Sequence, residues 1–285
     1  MTAKIKNLIV RALTGIIFVG VLVSSFLSSS ALFFCILFSI ITGLSVWEFS
    51  TIVNKQEEIQ INPIINTVAG IYLFLAIFGF CSNITPSSVF IPYLILIIYL
   101  LISELYLKRK SPINNWAYSM LAQMYIALPL SLLNVLAISV PTEPVNAEVT
   151  FNGIIPLAVF LFLWANDTGA YCVGSLIGKR KLFPRISPNK SWEGSIGGGI
   201  TAIIVSQVLA TFVDGFTHWE WFGLAVIVVL FGTWGDLVES LLKRQLGIKD
   251  SGHILPGHGG MLDRFDSSLL AIPAAVVYLY TISLY

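Results

Sequence analysis

Apolar residues run along this chain in blocks of about 20, the length a helix needs to cross the hydrocarbon of a bilayer, separated by short polar gaps. The windows are 12–28, 30–50, 62–80, 88–106, 116–138, 154–175, 194–213, 219–241 and 267–284, the first two being the least separable. They predict an all-α polytopic membrane protein with about nine transmembrane helices.

Composition agrees. Of 285 residues, 56% are hydrophobic and 11% charged, and the mean hydropathy is positive, which a soluble domain of this size would hardly show. The net charge of +1 points to no nucleic acid and no acidic partner. The distribution of the basic residues is more telling, because all sixteen fall in alternate gaps. Lys4, Lys6 and Arg11 precede the first window, Lys55 follows the second, and Lys108, Arg109 and Lys110 follow the fourth. Lys179, Arg180, Lys181, Arg185 and Lys190 follow the sixth, and Lys243, Arg244, Lys249 and Arg264 follow the eighth. The positive-inside rule then predicts a cytoplasmic amino terminus and a carboxyl terminus outside. Reading the first apolar segment as a cleaved signal peptide would leave the downstream orientation unchanged. Cys35, Cys81 and Cys172 are isolated, without the spacing of a disulfide framework or a zinc site, and are expected to be packing residues.

No repeat or linker interrupts the chain, so residues 1–285 are expected to form a single membrane domain. Residues 1–153 supply scaffold helices, and 154–285 supply catalytic helices and cytoplasmic loops. Polar and ionisable residues concentrate in this second part, in three places.

The segment Asp236 to Asp266 gathers five carboxylates, four cations and two histidines. At about 100° per residue, Asp236, Glu239, Ser240 and Lys243 share one arc of the eighth helix, with Arg244 beside it. An acid within a membrane helix faces a partner, an ion or water rather than lipid. The bland alternative is an internal ladder of Asp236 and Glu239 with Lys243, although Asp236 lies deeper than the nearest cation. Next, Gly257, Gly259 and Gly260 predict a loop whose amides can approach an anion closely, and His258 can donate a further hydrogen bond. Asp263 and Asp266 follow at i, i+3 and would share a face if the ninth helix begins there. Asp236 and Asp263 on adjacent helices suit magnesium, which takes one or two protein carboxylates plus phosphate oxygens. Zinc through His253 and His258 is a weak competitor, and a glycine turn with Asp caps is the structural alternative.

The third place is Trp164 to Gly199. Asp167 lies within an apolar window, and Lys179 to Lys190 form a basic loop able to hold phosphates or anionic headgroups, or only to carry the topology signal. Gly174-x-x-x-Gly178-Lys179 is one residue too short for a Walker A loop. The pairs Gly174/Gly178 and Gly194/Gly198 fit close helix packing.

The run from Ser240 through Lys243-Arg244, Lys249-Asp250, Gly252, Leu255-Pro256, His258-Gly259-Gly260 and Asp263-Arg264 to Asp266 closely resembles the signature of phosphatidate cytidylyltransferases, or CDP-diacylglycerol synthases. Upstream, Asp167, Ala170-Tyr171, Gly174, Gly178-Lys179 and Ser187-Pro188-Asn189-Lys190-Ser191-Trp192-Glu193-Gly194 look like the same family, with Ser191 where many members have Thr. The first half agrees only in hydropathy and in Trp47-Glu48 ending the second helix.

The resemblance implies a magnesium-dependent reaction of CTP with phosphatidate, giving CDP-diacylglycerol and pyrophosphate. It implies that Asp236 and Asp263 hold the metal, with Ser240 and Asp266 as further ligand or neighbouring candidates, and leaves room for a second metal or a monovalent cation. Lys243, Arg244, Lys249 and Arg264 would stabilise phosphates, and Asp250 joins this catalytic set. His258 and the turn through Gly257, Gly259 and Gly260 would bind the triphosphate. Lys190 and Ser191 would line the same cleft, with Asp167, Lys179 and Glu193 among the substrate-binding residues. CTP is cytosolic and phosphatidate is held in the bilayer, so the active site is expected at the cytoplasmic face of a bacterial inner membrane. A homodimer through the amino-terminal helices is compatible with the pattern, though no motif speaks for it. The competing readings are a CTP-dependent lipid-alcohol kinase, which transfers the γ-phosphoryl group instead, and a cation-coupled transporter using Asp167, Asp236, Glu239 and Asp263 as an ion path.

Overall fold

The computed structural model describes residues 3–139, 149–252, 254 and 259–283, with the side chains of 3–11, 139 and 283 left aside. The described chain is mostly helical. Helices occupy all nine apolar windows: α1 (Ala3–Leu27), α2 (Ala31–Val53), α3 (Pro63–Cys81), α4 (Ile91–Leu107), the broken run α5 (Pro112–Leu121), α6 (Leu128–Ser131) and α7 (Leu133–Ala137), then α8 (Ile154–Ile177), α9 (Trp192–Leu209), α10 (His218–Gln245) and α11 (Ser268–Ser283). Among the described residues, six helical runs are long and apolar enough to cross a membrane: Ala31–Val53, Pro63–Cys81, Ser87–Leu107, Pro112–Ala137, Ile154–Ile177 and His218–Gln245. Ala12–Leu27 and Ser268–Ile282 are apolar but shorter. The mostly helical chain agrees with the all-α expectation; among the described residues the helices are accompanied by four short strands in two antiparallel pairs, β1 (Ile138–Ser139) with β2 (Thr150–Phe151), and β3 (Lys181–Phe183) with β4 (Ser187–Ser191).

The chain divides into two compact units, Met1–Ile154 with Ile248–Phe265, and Ile155–Gly247 with Asp266–Tyr285. In the first unit α2 begins at Ser30, whose hydroxyl accepts the Phe33 N–H at 3.3 Å, and this cap separates the first two windows. The core is aromatic: Phe34 and Phe38 stack at 4.9 Å, and Phe26 and Phe151 close on them. The window at 116–138 is one hydrophobic run but not one regular helix. Pro129 has no N–H to return to the preceding turn, and the chain widens into a π-turn over Ala122–Ala127. Gln123 there donates to the Asn66 carbonyl at 2.9 Å, and Asn134 donates to the Phe74 carbonyl at 3.2 Å, so buried amides tie this irregular run to α3.

In the second unit α10 is the longest helix. Its 28 residues span about 42 Å at 1.5 Å each, more than the ~30 Å of hydrocarbon, so one end can extend into a polar medium. Thr217 and Glu220 form a capping box at its start, and Lys243 and Arg244 occupy its last turn, as the helix dipole favours. Glycines bring α8 and α9 together: a Cβ at Gly198 would strike the Asn166 carbonyl, and one at Gly174 would lie 3.4 Å from the Gly194 Cα. Gly174, Gly194 and Gly198 thus serve close helix packing as expected, whereas Gly178 lies just beyond α8 and its Cβ would meet Ser191 Oγ and the Gly174 carbonyl.

Candidate active site

In the second unit the site begins with the polar stripe of α10. Ser240 Oγ donates to Asp236 Oδ1 at 3.1 Å, and Lys243 pairs with Glu239 at 3.2 Å one turn further on. The Glu239–Lys243 half of the ladder is thus present, with Glu239 wholly buried. The cation on Asp236 comes from elsewhere: the Lys190 ammonium, carried by β4, makes an ion pair with Asp236 Oδ2.

Gly235 explains how a third acid reaches this place. A Cβ there would lie 2.8 Å from the carbonyl of Asp266 and 3.0 Å from that of Ser267, so the absence of a side chain lets the entry to α11 pass close to α10. Asp266 retains partial exposure, but surrounding protein and the Asp236 carboxylate push its pKa up to about 7, against a weaker downward pull from the Ser267 N–H and from Lys243. The Ser267 N–H donates to Asp266 Oδ1 at 2.6 Å.

The basic loop is folded by its own acid. Glu193, in the first turn of α9, accepts from the backbone N–H groups of Lys179 and Arg180 at 3.2 Å. Ser191 caps the same helix by accepting the Gly194 N–H at 3.2 Å. Its strand places Lys190 and Ser191 on the wall of a cleft of about 430 Å³, whose lining includes Asn166, Asp167, Tyr171 and Thr233. Lys179 is exposed and lies outside that lining. Arg244, on the last turn of α10, is exposed as well.

In the first unit the described residues Ser251 and Gly260 of the signature loop converge on Asp263. Its Oδ2 accepts the N–H groups of Ser251 at 2.8 Å and Gly260 at 2.9 Å, and Gly259 takes the left-handed φ of +81°. Asp263 belongs to a 3-10 turn, Leu262–Arg264, and α11 starts only at Ser268. The expectation that Asp263 and Asp266 share a helical face is therefore wrong: capping two loop amides holds Asp263 in the turn. Lys249, Asp250 and Arg264 are exposed. Gly257 and His258 lie outside the described residues, as do His253 and Pro256.

The sequence pattern marked Glu48 only as part of the family resemblance and gave it no place in the site. This acid near the end of α2 is 4% exposed, and its Oε2 accepts the Leu262 N–H at 2.9 Å and the Ser251 hydroxyl at 3.5 Å. An acid inside the apolar window 30–50 was the available signal in the sequence. Of the cysteines, Cys35 packs in the core, whereas Cys172 is exposed on α8 and is no packing residue.

Among the described residues, six helical runs of membrane length mark an integral membrane protein. The chain belongs to the cytidylyltransferase family, whose sequence model matches residues 9–282. It is similar to a phosphatidate cytidylyltransferase of Haemophilus influenzae, 29% identical over 280 residues that make up 92% of this chain and 95% of that protein. Those of Staphylococcus saprophyticus and Staphylococcus aureus strain COL are 51% and 53% identical over 127 and 118 residues, 44% and 41% of this chain. The matched stretch spans about half the length of these staphylococcal relatives, 49% and 45%.

Proposed function

We propose that the chain is a phosphatidate cytidylyltransferase, converting CTP and phosphatidate to CDP-diacylglycerol and pyrophosphate. The observation that carries the reading is the site on α10, where Asp236 meets Lys190 and Asp266 beside a cleft lined by the family's basic motif. A phosphatidate oxygen bonds to the α-phosphorus of CTP as the bond to the pyrophosphate oxygen breaks. The nucleophile is already ionised, so no side chain has to remove a proton. The residues' task is to position two polyanions and offset their charge.

Lys190, Lys243, Arg244, Lys249 and Arg264 are the cations for this task. Ser191, Asp167 and Glu193 shape the cleft and its loop, and Asp250, Gly257, His258, Gly259 and Gly260 belong to the triphosphate side. Asp236 and Asp263, together with Ser240 and Asp266, are the magnesium-binding candidates in our reading. The donor set fits a hard cation: its members are oxygens, and Asp266 is disfavoured as a carboxylate beside Asp236, a conflict a divalent ion relieves. Among the described residues no three His, Cys, Asp or Glu side chains form a closed metal site, which suits an ion completed by substrate and water. Bound magnesium would neutralise phosphate charge at the reacting centre. A further metal or a monovalent cation is compatible with the remaining oxygens.

The topology we infer has nine crossings, a cytoplasmic amino terminus, an external carboxyl terminus and the site at the cytoplasmic face of a bacterial inner membrane. The alternation of basic gaps supports it. A homodimer is compatible with the amino-terminal helices. The test is turnover by purified protein in micelles containing phosphatidate, with CTP and with or without magnesium. Equal, magnesium-dependent yields of pyrophosphate and CDP-lipid are expected. CDP release with phosphorylation of an added lipid alcohol would replace the reading with a lipid kinase, and absence of CTP turnover by folded protein would reopen transport.

A further inference from the structure

Glu48 carries more structure than a lone acid near a helix end requires. It reaches 214 residues along the chain to take the Leu262 N–H, the amide immediately before Asp263. Its other contact, the Ser251 hydroxyl, itself accepts the Asp263 N–H at 3.3 Å, while the Ser251 N–H donates to Asp263 Oδ2. Two short links therefore join the α2 carboxylate to Asp263, one through the backbone and one through Ser251. Space is arranged to match: a Cβ at Gly252 would collide with Glu48 Oε1, and one at Gly260 would collide with Ser251 Oγ and crowd Glu48 Oε2. Gly252 and Gly260, two of the loop's glycines, thus leave room for Glu48 and Ser251. Among the described residues the acid's second oxygen, Oε1, is buried without a hydrogen-bond partner, a costly state.

We infer that Glu48 is a positioning residue for cytidylyl transfer: it pins the Ser251–Asp263 loop to α2 and so fixes the orientation in which Asp263 is offered to the metal. The inference rests on the proposed magnesium role of Asp263. Partners that orient a ligating carboxylate commonly matter about 10- to 100-fold in metal affinity or activity.

The test is a Mn²⁺ titration followed by electron paramagnetic resonance on the purified, detergent-solubilised chain without nucleotide. Beside it runs the magnesium concentration for half-maximal turnover, measured for wild type, Glu48→Ala and Glu48→Gln. Gln keeps an acceptor for the Leu262 N–H, and Ala keeps none. The expected result is Mn²⁺ affinity weakened about 10-fold or more in Glu48→Ala, a parallel shift in the magnesium midpoint, and substantial recovery of both in Glu48→Gln. Unchanged Mn²⁺ affinity in folded Glu48→Ala would overturn the inference while leaving the activity reading intact, and equal damage in the Ala and Gln variants would overturn the hydrogen-bond route. Wild-type protein that takes up Mn²⁺ neither alone nor with CTP added would remove the metal reading, and this inference with it. Should Glu48→Ala fail to fold, Ser251→Ala breaks the second link with the α2 carboxylate in place. Unaltered Mn²⁺ affinity there would overturn the link through Ser251.

Discussion

Lys190 sets its ammonium on the Asp236 carboxylate, joining the strand that leads into α9 to the polar stripe of α10. Both side chains keep about a quarter of their exposure, 28% and 26%. A pair so accessible is worth little to stability, about 0–1 kcal/mol. Its value is electrostatic: it holds a cation against the carboxylate where, in our reading, phosphate charge must be accommodated.

Replacing Lys190 by Met should therefore separate catalysis from stability. Loss of a preorganised cation should lower kcat on the order of 10²-fold, while the melting temperature changes little. Lys190→Arg, which preserves charge but not the compact ammonium, should fall between. Comparing turnover with a thermal melt of each variant decides it, and a large loss of melting temperature in Lys190→Met would show that the pair is structural.

Gly235 predicts the opposite signature. An added methyl meets the backbone carbonyls of Asp266 and Ser267 at 2.8 and 3.0 Å, and backbone cannot rotate away as a side chain can. Gly235→Ala should cost about 1–3 kcal/mol and reduce turnover by shifting Asp266 relative to Asp236. Gly20→Ala is the control, since nothing lies within 4 Å of a Cβ there. It should be neutral or stabilise by up to about 1 kcal/mol.

The stripe on α10 was legible because helical periodicity alone puts Asp236, Ser240 and Glu239 together. The Lys190 partnership was not, because nothing local in a basic loop says which carboxylate it meets. The apolar windows located the helices, yet the break at Pro129 and the π-turn before it left hydropathy unchanged. Asp263 and Asp266 were misread because i, i+3 spacing has its helical meaning only inside a helix; here Asp263 spends its oxygen on the Ser251 and Gly260 amides. Glu48 escaped for a related reason: its significance lies in contacts with a loop near the other end of the chain.

Asp266 makes stability depend on pH. Its pKa is raised from 3.8 to about 7, so the folded chain holds this proton more tightly than the unfolded one. The stabilisation is complete below the unfolded value and is lost as pH rises through about 7. In magnesium-free detergent solution the melting temperature should fall between pH 6 and pH 8, on the order of one unit either side of that midpoint. Asp266→Asn, which cannot ionise, should flatten the slope. An unaltered slope in the variant would assign the pH dependence to another group.

Glu104 offers a case in which stability, rather than chemistry, should respond. Its buried carboxylate receives Arg109 Nη1 at 2.6 Å on one oxygen and Asn115 Nδ2 at 2.9 Å on the other. The Asn115 carbonyl oxygen in turn accepts the Gln60 N–H at 2.8 Å. The acid thus ties the end of α4 to α5 and to the segment after α2. Glu104→Leu strands a guanidinium of which the side chain is only 19% exposed, along with an amide. Breaking one side of a buried pair costs about 3–5 kcal/mol, reduced here because Arg109 can still reach water. Neither residue belongs to the site, so the folded fraction should retain its KM for CTP and its magnesium midpoint. The thermal melt should shift while both kinetic constants stay put; a changed magnesium midpoint would mean that this network, too, bears on the signature loop.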